Sequence, residues 1–271
     1  MPVVFPDGYA LPSGARPLTH ARIAHAGNWI TGTVAASSTA SAAIYTADAP
    51  ANSALFEKWK PATVPATWGV TTAEPVTVDY CVIGAHDLAA TGGAVGVQYF
   101  DGASWVEIAS VATVQSGGVI FLMFAPVVAT AFRIEVRDAV SSFGLIRFGA
   151  ALQMEERTRY PGRTPFDLAR RAMTTGNRSV EGAFLSRLTV RSGMSLAFSW
   201  SHLSEAFTTG DLAGFMDAIE TDLFVIADRP GTHPNDVAIC WTSGDRPVPR
   251  ASGAMDLHDL DLQAEGYVAN D

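Results

Sequence analysis

The chain has 271 residues, 48% of them apolar and only 17% Lys, Arg, Asp or Glu, and its 27 acidic and 18 basic side chains give a formal charge of −9. That length supplies one large core or two ordinary ones, and so low a charge density suits a subunit that hides surface in an assembly better than a free monomer. The acidic balance disfavours a phosphate backbone, so no specific nucleic-acid partner is expected.

The N-terminal MPVVFPDGYALPSG has neither a basic start nor a long apolar stretch. Neither a signal peptide nor membrane insertion is expected, and the protein is expected to be made in a cytoplasm. Residues 1–25 read as an arm with short apolar pieces, alternatively as part of the second domain. Residues 31–54, dominated by Ala, Ser and Thr, read as exposed loops with Ile44-Tyr45 as the strongest strand signal. Trp59 and Trp68 flank Pro61 and Pro65, a pattern that locks a loop onto a domain or, alternatively, builds a carbohydrate platform.

From Val76 to Ile83 alternate side chains are large and apolar, as a sheet with one buried face requires. Val95, Val97 and Tyr99 repeat the pattern, and Asp101-Gly102 turns the chain before Trp105 to Ile108. Ile120 to Phe124 is continuously apolar, as in a central strand, and Pro126 is expected to stop it. Phe132, Ile134 and Val136 alternate with Arg133, Glu135 and Arg137, and Leu145 to Phe148 reads as a closing strand. The expected unit is a β-sandwich over residues 26–153.

A charged, turn-rich junction follows, from Glu155 through Pro161-Gly162 to Pro165. Residues 154–271 read as a second β domain. Phe184 to Val190 and Met194 to Trp200 suggest a hairpin around Ser192-Gly193, and a helix is expected over 211–221 with Asp211 as N-cap. Phe224 to Ile226, Val237 to Trp241 and Leu257 to Ala264 read as strands. The expected fold is thus mainly β, with two β-sandwich-type domains, the second carrying one packed α-helix. Cys81 and Cys240 lie in apolar runs and are expected to be buried free thiols.

No pattern of reactive groups emerges. The six histidines lack a metal-ligand spacing, and no glycine-rich phosphate loop or Gly-x-Ser-x-Gly elbow occurs. No enzyme activity, cofactor or metal is expected. The candidate ligand-binding residues are His86 and Asp87 at a strand end, with Trp59 and Trp105. The candidate assembly residues are Arg157, Arg159 and Arg163, from the basic concentration, and Trp241.

The stretch from Val78 through His86-Asp-Leu88, followed by Val95-Gly-Val-Gln-Tyr-Phe-Asp-Gly-Ala-Ser-Trp105, resembles the galactose-binding-like, discoidin-type jelly roll, with Asp87 where Asn is common. Such a domain joined to Arg159-Tyr-Pro-Gly-Arg-Thr-Pro165, with Asn177 to Arg187 and the strands ending at Trp241, is similar to bacteriophage tail and virion proteins. That resemblance implies a distal-tail or tail-tip subunit in the virion, with a tail-protein-like sandwich as the second domain. It further implies six-fold rings of copies, other phage tail proteins as partners, and residues 26–153 as an inserted outer module. A rival implication is host adsorption, with that module binding a surface glycan. Its loops around Ser37 to Ser41 and Ala89 to Gly93 are poor in the aromatic and polar groups a sugar site needs.

Overall fold

Two strands of 19 residues each, β4 (Ala66–Gly84) and β7 (Val119–Arg137), run antiparallel and organise the first of two sheets. The computed structural model describes residues 3–111, 118–161, 163–253 and 256–268, so Gly162 of the expected junction lies outside the described residues. The β4–β7 ladder shifts register between Thr71 and Val76 and again between Val78 and Tyr80, and each strand bends there. Pro126 does not end β7. It sits between the pairs Met123–Tyr80 and Val127–Val78, opposite the second shift, where the ladder is already interrupted and its missing N–H costs nothing.

The bend folds one sheet into two layers. The first half of β4 lies between β3 (Thr33–Ala36) and the second half of β7, which continues to β5 (Ala94–Phe100) and β6 (Trp105–Val111). The second half of β4 lies between β8 (Leu145–Gly149) and the first half of β7, which β1 (Val3–Val4) joins in parallel. Trp68, Val97 and Phe132 of one layer meet Cys81, Leu122 and Phe148 of the other in a common core. The arm at residues 1–25 is therefore divided: its first strand belongs to the first sheet.

Its second strand does not. β2 (Arg22–His25) pairs on one edge with β12 (Phe224–Ala227) and on the other with β9 (Leu152–Gln153) in the second sheet. From β12 the sheet runs through β13 (Val237–Thr242), β15 (Leu257–Gly266) and β11 (Phe184–Ser204) to β10 (Arg170–Arg178), with β14 (Arg250–Ala251) on β15. Residues 26–151 thus leave and re-enter the second sheet at adjacent strands.

Short runs with no polar position reveal where this sheet is covered twice. Phe224, Ile226, Ala238 and Cys240 point to a core roofed by two helices, α2 (Glu205–Thr209) and α3 (Asp211–Ala218), which contributes Leu212, Phe215 and Met216. The alternate residues Val225, Ala227, Val237 and Ile239 point the other way. There they meet Tyr80, Val82, Phe121 and Met123 on the outer side of the first sandwich. The two sheets share a third core of aliphatic and aromatic side chains, and β4 and β7 are buried on both faces along the halves that build it.

The helical segment differs from expectation in its start. Gly210 precedes Asp211 at the cap, and the preceding turn is itself helical because Ser204 Oγ accepts from Phe207 N at 3.2 Å. α3 ends at Ala218 rather than at residue 221. Residues 31–54 hold β3 besides loops.

The hairpin also differs. β11 runs unbroken through Ser192 and Gly193, which pair with Ala172 and Arg171, and the turn lies at residues 179–183, where Gly182 has φ +84°. β10 and residues 184–193 of β11 form a two-stranded ribbon standing off the sheet, exposed on nearly every residue. β15 takes up pairing with β11 only from Met194, so among the described residues both edges of this arm are open.

Candidate functional site

The candidates of the first sandwich do not converge. Trp59 is fully buried, stacks on Phe143 at 5.6 Å and donates from Nε1 to Ser38 O at 2.9 Å. Trp68 donates likewise to Ala47 O at 2.7 Å, so the two indoles pin the loop between β3 and β4 onto the core. Trp59 therefore offers no face to a ligand, because its ring is packed on all sides.

Asp87 acts within its own turn. Its carboxylate accepts from Ser142 N and from Ser142 Oγ, each at 2.7 Å, and ties the strand end before α1 (Leu88–Thr91) to the loop before β8. His86 is 4% exposed and neither ring nitrogen has a protein partner. Burial pushes its pKa down to about 4, with the positive charge of Lys58 adding to that and Asp87 opposing it.

Trp105 sits elsewhere. Helix α1 leads into the first residue of β5, whereas Trp105 pairs with the last, Phe100. Its ring packs against Phe100 at 5.5 Å, and the Arg133 guanidinium lies 4.0 Å from its centre. Beside it runs a bonded polar row on the outer face of the sandwich. Arg133 donates to Gln98 at 2.7 Å, Gln98 to Glu135 at 3.3 Å, and Arg137 bridges Glu135 and Glu107.

The assembly candidates also separate. Arg163 is buried at its side chain and cannot face a neighbour. It donates to Asp228 at 2.7 Å and to Asp236, while Thr158 and Arg229 complete the shell of the fully buried Asp228. This network explains why a cation here is internal: Asp228 needs opposite charge and donors once removed from water. Arg157 and Arg159 are exposed beside an open cleft of about 400 Å³ with Tyr160, His202 and Asp259. Trp241 is 38% exposed and pairs with Glu265 on the second sheet.

Two features escaped the sequence reading. At the junction of the sheets, Asp79 accepts from Ala151 N at 2.8 Å, and burial pushes its carboxyl up to about 6 against the lowering effects of that bond and of Arg22. The larger feature is the arm. Most of the exposed large apolar side chains among the described residues fall between residues 160 and 190, including Met173, Phe184, Leu185, Leu188 and Val190. Arg170, Arg171, Arg178, Arg187 and Arg191 alternate with them against one acid, Glu181, and among the described residues none of the five is in an ion pair. The sequence signal was present as the arginines and aliphatics of 170–191. It was masked because strand periodicity alone suggests a core behind one face.

Among the described residues no three His, Cys, Asp or Glu side chains group as a metal site, and no helix is long and apolar enough to cross a membrane. Both cysteines are buried and unbonded, and burial pushes both thiols up. The close carboxylate pairs Asp228–Asp236 and Glu107–Glu135 are each bridged by an arginine.

No protein-family model matches the chain, and no curated protein matches it. Similar solved structures include chitosan-binding module 1 of a chitosanase/glucanase from Paenibacillus sp. IK-5, in a point-mutant form. It is 18% identical over 46% of this chain and 98% of that one, with a TM-score of 0.39. The family 32 carbohydrate-binding module of Clostridium perfringens NanJ, in complex with galactose, is 13% identical over 43% and 91%, with a TM-score of 0.38. A pectin-binding carbohydrate-binding module is 16% identical over 44% and 91%, with a TM-score of 0.40. Scores this low assign neither a ligand nor a family. The mainly β architecture rests on the two sheets themselves.

Proposed function

We propose that the chain is a structural subunit of a bacteriophage tail, a distal-tail or tail-tip component that assembles with copies of itself and performs no catalysis. The arm of β10 and β11 carries this reading. A two-stranded ribbon without a core is marginal alone in water, and open edges with exposed apolar side chains are surface that a partner covers. The likeness of residues 159–165 and 177–187 and of the strands ending at Trp241 to tail proteins supports the particle. Its working location is then the virion, after synthesis in the host cytoplasm, with other tail proteins as further neighbours.

Light scattering on a sizing column and electron microscopy of the full chain test this. Closed oligomers are expected, with rings among them, and replacing residues 172–190 by a short turn is expected to leave a folded monomer. A full-length chain that stays monomeric at its highest soluble concentration, alone and with its tail neighbours, would count against the proposal.

A second reading, glycan recognition by the first sandwich, is favoured by one observation: Trp105 lies on the outer face beside the Gln98–Arg133–Glu135 row. Titration with galactose and chitotriose by calorimetry, repeated on Trp105→Ala, decides it. Heat that disappears in the variant supports recognition there, and no heat with the wild-type chain removes it.

A further inference from the structure

The arm and the neighbouring sheet surface together form one patch of two opposite halves. On the side of the second sheet that faces away from the helices, β15 presents Asp261, Gln263 and Glu265 while Leu260, Leu262 and Ala264 enter the core. Trp241 is the cross-strand partner of Glu265, on the same side. β15 ends its pairing with β11 at Gly266 opposite Met194, immediately before the arm begins.

The arm continues that side with opposite charge. In its ladder Arg171 pairs with Gly193, Met173 with Arg191, and Thr175 with Leu188, which places Arg171, Met173, Leu188 and Arg191 together. They lie opposite the face of Arg170 and Met194, and Met194 packs against the helix-covered core. One half of the patch thus carries two arginines around Met173 and Leu188, and the other carries Glu265 beside Trp241 and Asp261 further along β15. Asp261, Glu265, Arg171 and Arg191 have no ion pair among the described residues.

We infer that this patch is a two-fold contact between copies of the chain, in which the arm of each copy lies over Trp241, Asp261 and Glu265 of the other. The inference rests on the reading that the chain assembles with itself. A patch whose halves are complementary and lie side by side on one face satisfies itself when a second copy is turned through half a rotation, since each contact is then made twice. The arginines meet carboxylates and the exposed Trp241 ring, which also accepts a guanidinium on its face. Met173, Leu188 and Trp241 supply the apolar centre that holds such contacts together. Such a pairing joins subunits, or rings of them, face to face.

Charge reversal tests it. Arg171→Glu with Arg191→Glu inverts the arm half, and Asp261→Arg with Glu265→Arg inverts the sheet half. Each double variant is expected to raise the midpoint concentration of dimer formation at least about tenfold, with unchanged thermal unfolding of the monomer. Mixing the two variants is expected to restore a one-to-one dimer, because both contacts are then complementary again. Either variant pairing like the wild type, or a mixture that stays monomeric, overturns the contact. If such variants still form the wild-type oligomer, assembly stands and only this contact falls. A wild-type monomer removes both. Salt-sensitive binding of a duplex DNA oligonucleotide that the arm variant loses, with no dimer in the wild type, assigns the arm to nucleic acid and overturns the inference.

Discussion

Ile23 of β2 and Leu152 of β9 are direct partners across one ladder, although the whole first sandwich lies between them in sequence. The sandwich is therefore entered and left at a single point of the second sheet, which keeps the cost of interrupting that sheet small. Having emerged there, it packs back onto the sheet through Tyr80, Phe121, Val225 and Ile239.

That shared core makes the two sheets one cooperative unit. Urea unfolding followed by tryptophan fluorescence and by far-ultraviolet circular dichroism is expected to give one coincident transition. Phe121→Ala, which empties the middle of the shared core, is expected to cost about 3 to 5 kcal/mol and to move both signals together. Two separated transitions in the wild-type chain would show that the units melt independently.

Gly149 holds the seam at closer range. A Cβ at this position would collide with Asn28 O and stand 2.6 Å from the Tyr80 hydroxyl, which itself donates to Asn28 Oδ1 at 2.8 Å. Gly149→Ala must push backbone against backbone, and a loss of roughly 2 to 4 kcal/mol is expected. Gly118→Ala, where a Cβ meets open space, is the matched control and is expected to be nearly neutral.

The ionic network at Asp228 is internal and structural. Arg163→Met removes the nearer of the two arginines that hold the buried Asp228, leaving Arg229, and is expected to destabilise by about 3 to 5 kcal/mol. Replacing the pair together, Arg163→Met with Asp228→Leu, is expected to cost less than the sum of the two single changes, because the buried Asp228 charge is removed with its partner, although Asp236 and Arg229 each lose one contact. A double variant worse than the sum of the two single ones would contradict this account.

Acid sensitivity is expected from His86. Its folded pKa of about 4 lies below the ordinary 6.5, so the unfolded chain binds a proton that the folded chain refuses. The associated stability is present above pH 6.5 and is lost as pH falls towards 4, by up to about 3 kcal/mol. His25, also held near 4 by burial, adds a slope of the same sign, while Asp79, raised to about 6, opposes it. His86→Phe is expected to flatten the fall in urea midpoint between pH 7 and pH 5. An unchanged slope would show that this ring is not what titrates.

The alternation of apolar side chains in Phe132–Val136 and Leu257–Ala264 determined by itself that these segments are strands with one covered face, whereas in Val76–Ile83 it located the strand but not that residues 80–83 are covered on both faces. Phe224–Ile226 and Val237–Trp241 were legible as strands by their short, continuous apolar runs. Which face each run turns to which core was decided only by the tertiary structure. In β7 the neighbours Leu122 and Phe121 look alike in sequence yet serve the sandwich core and the shared core respectively. In sequence His86 and Arg163 read as candidates for a ligand and an assembly contact, and Trp59 as a loop lock or a carbohydrate platform; their burial was not legible, since it depends on what the distant chain places over them. The arm was misplaced for the converse reason: Phe184, Leu188 and Val190 carry the signature of a packed strand, and only the fold showed that they stay exposed among the described residues.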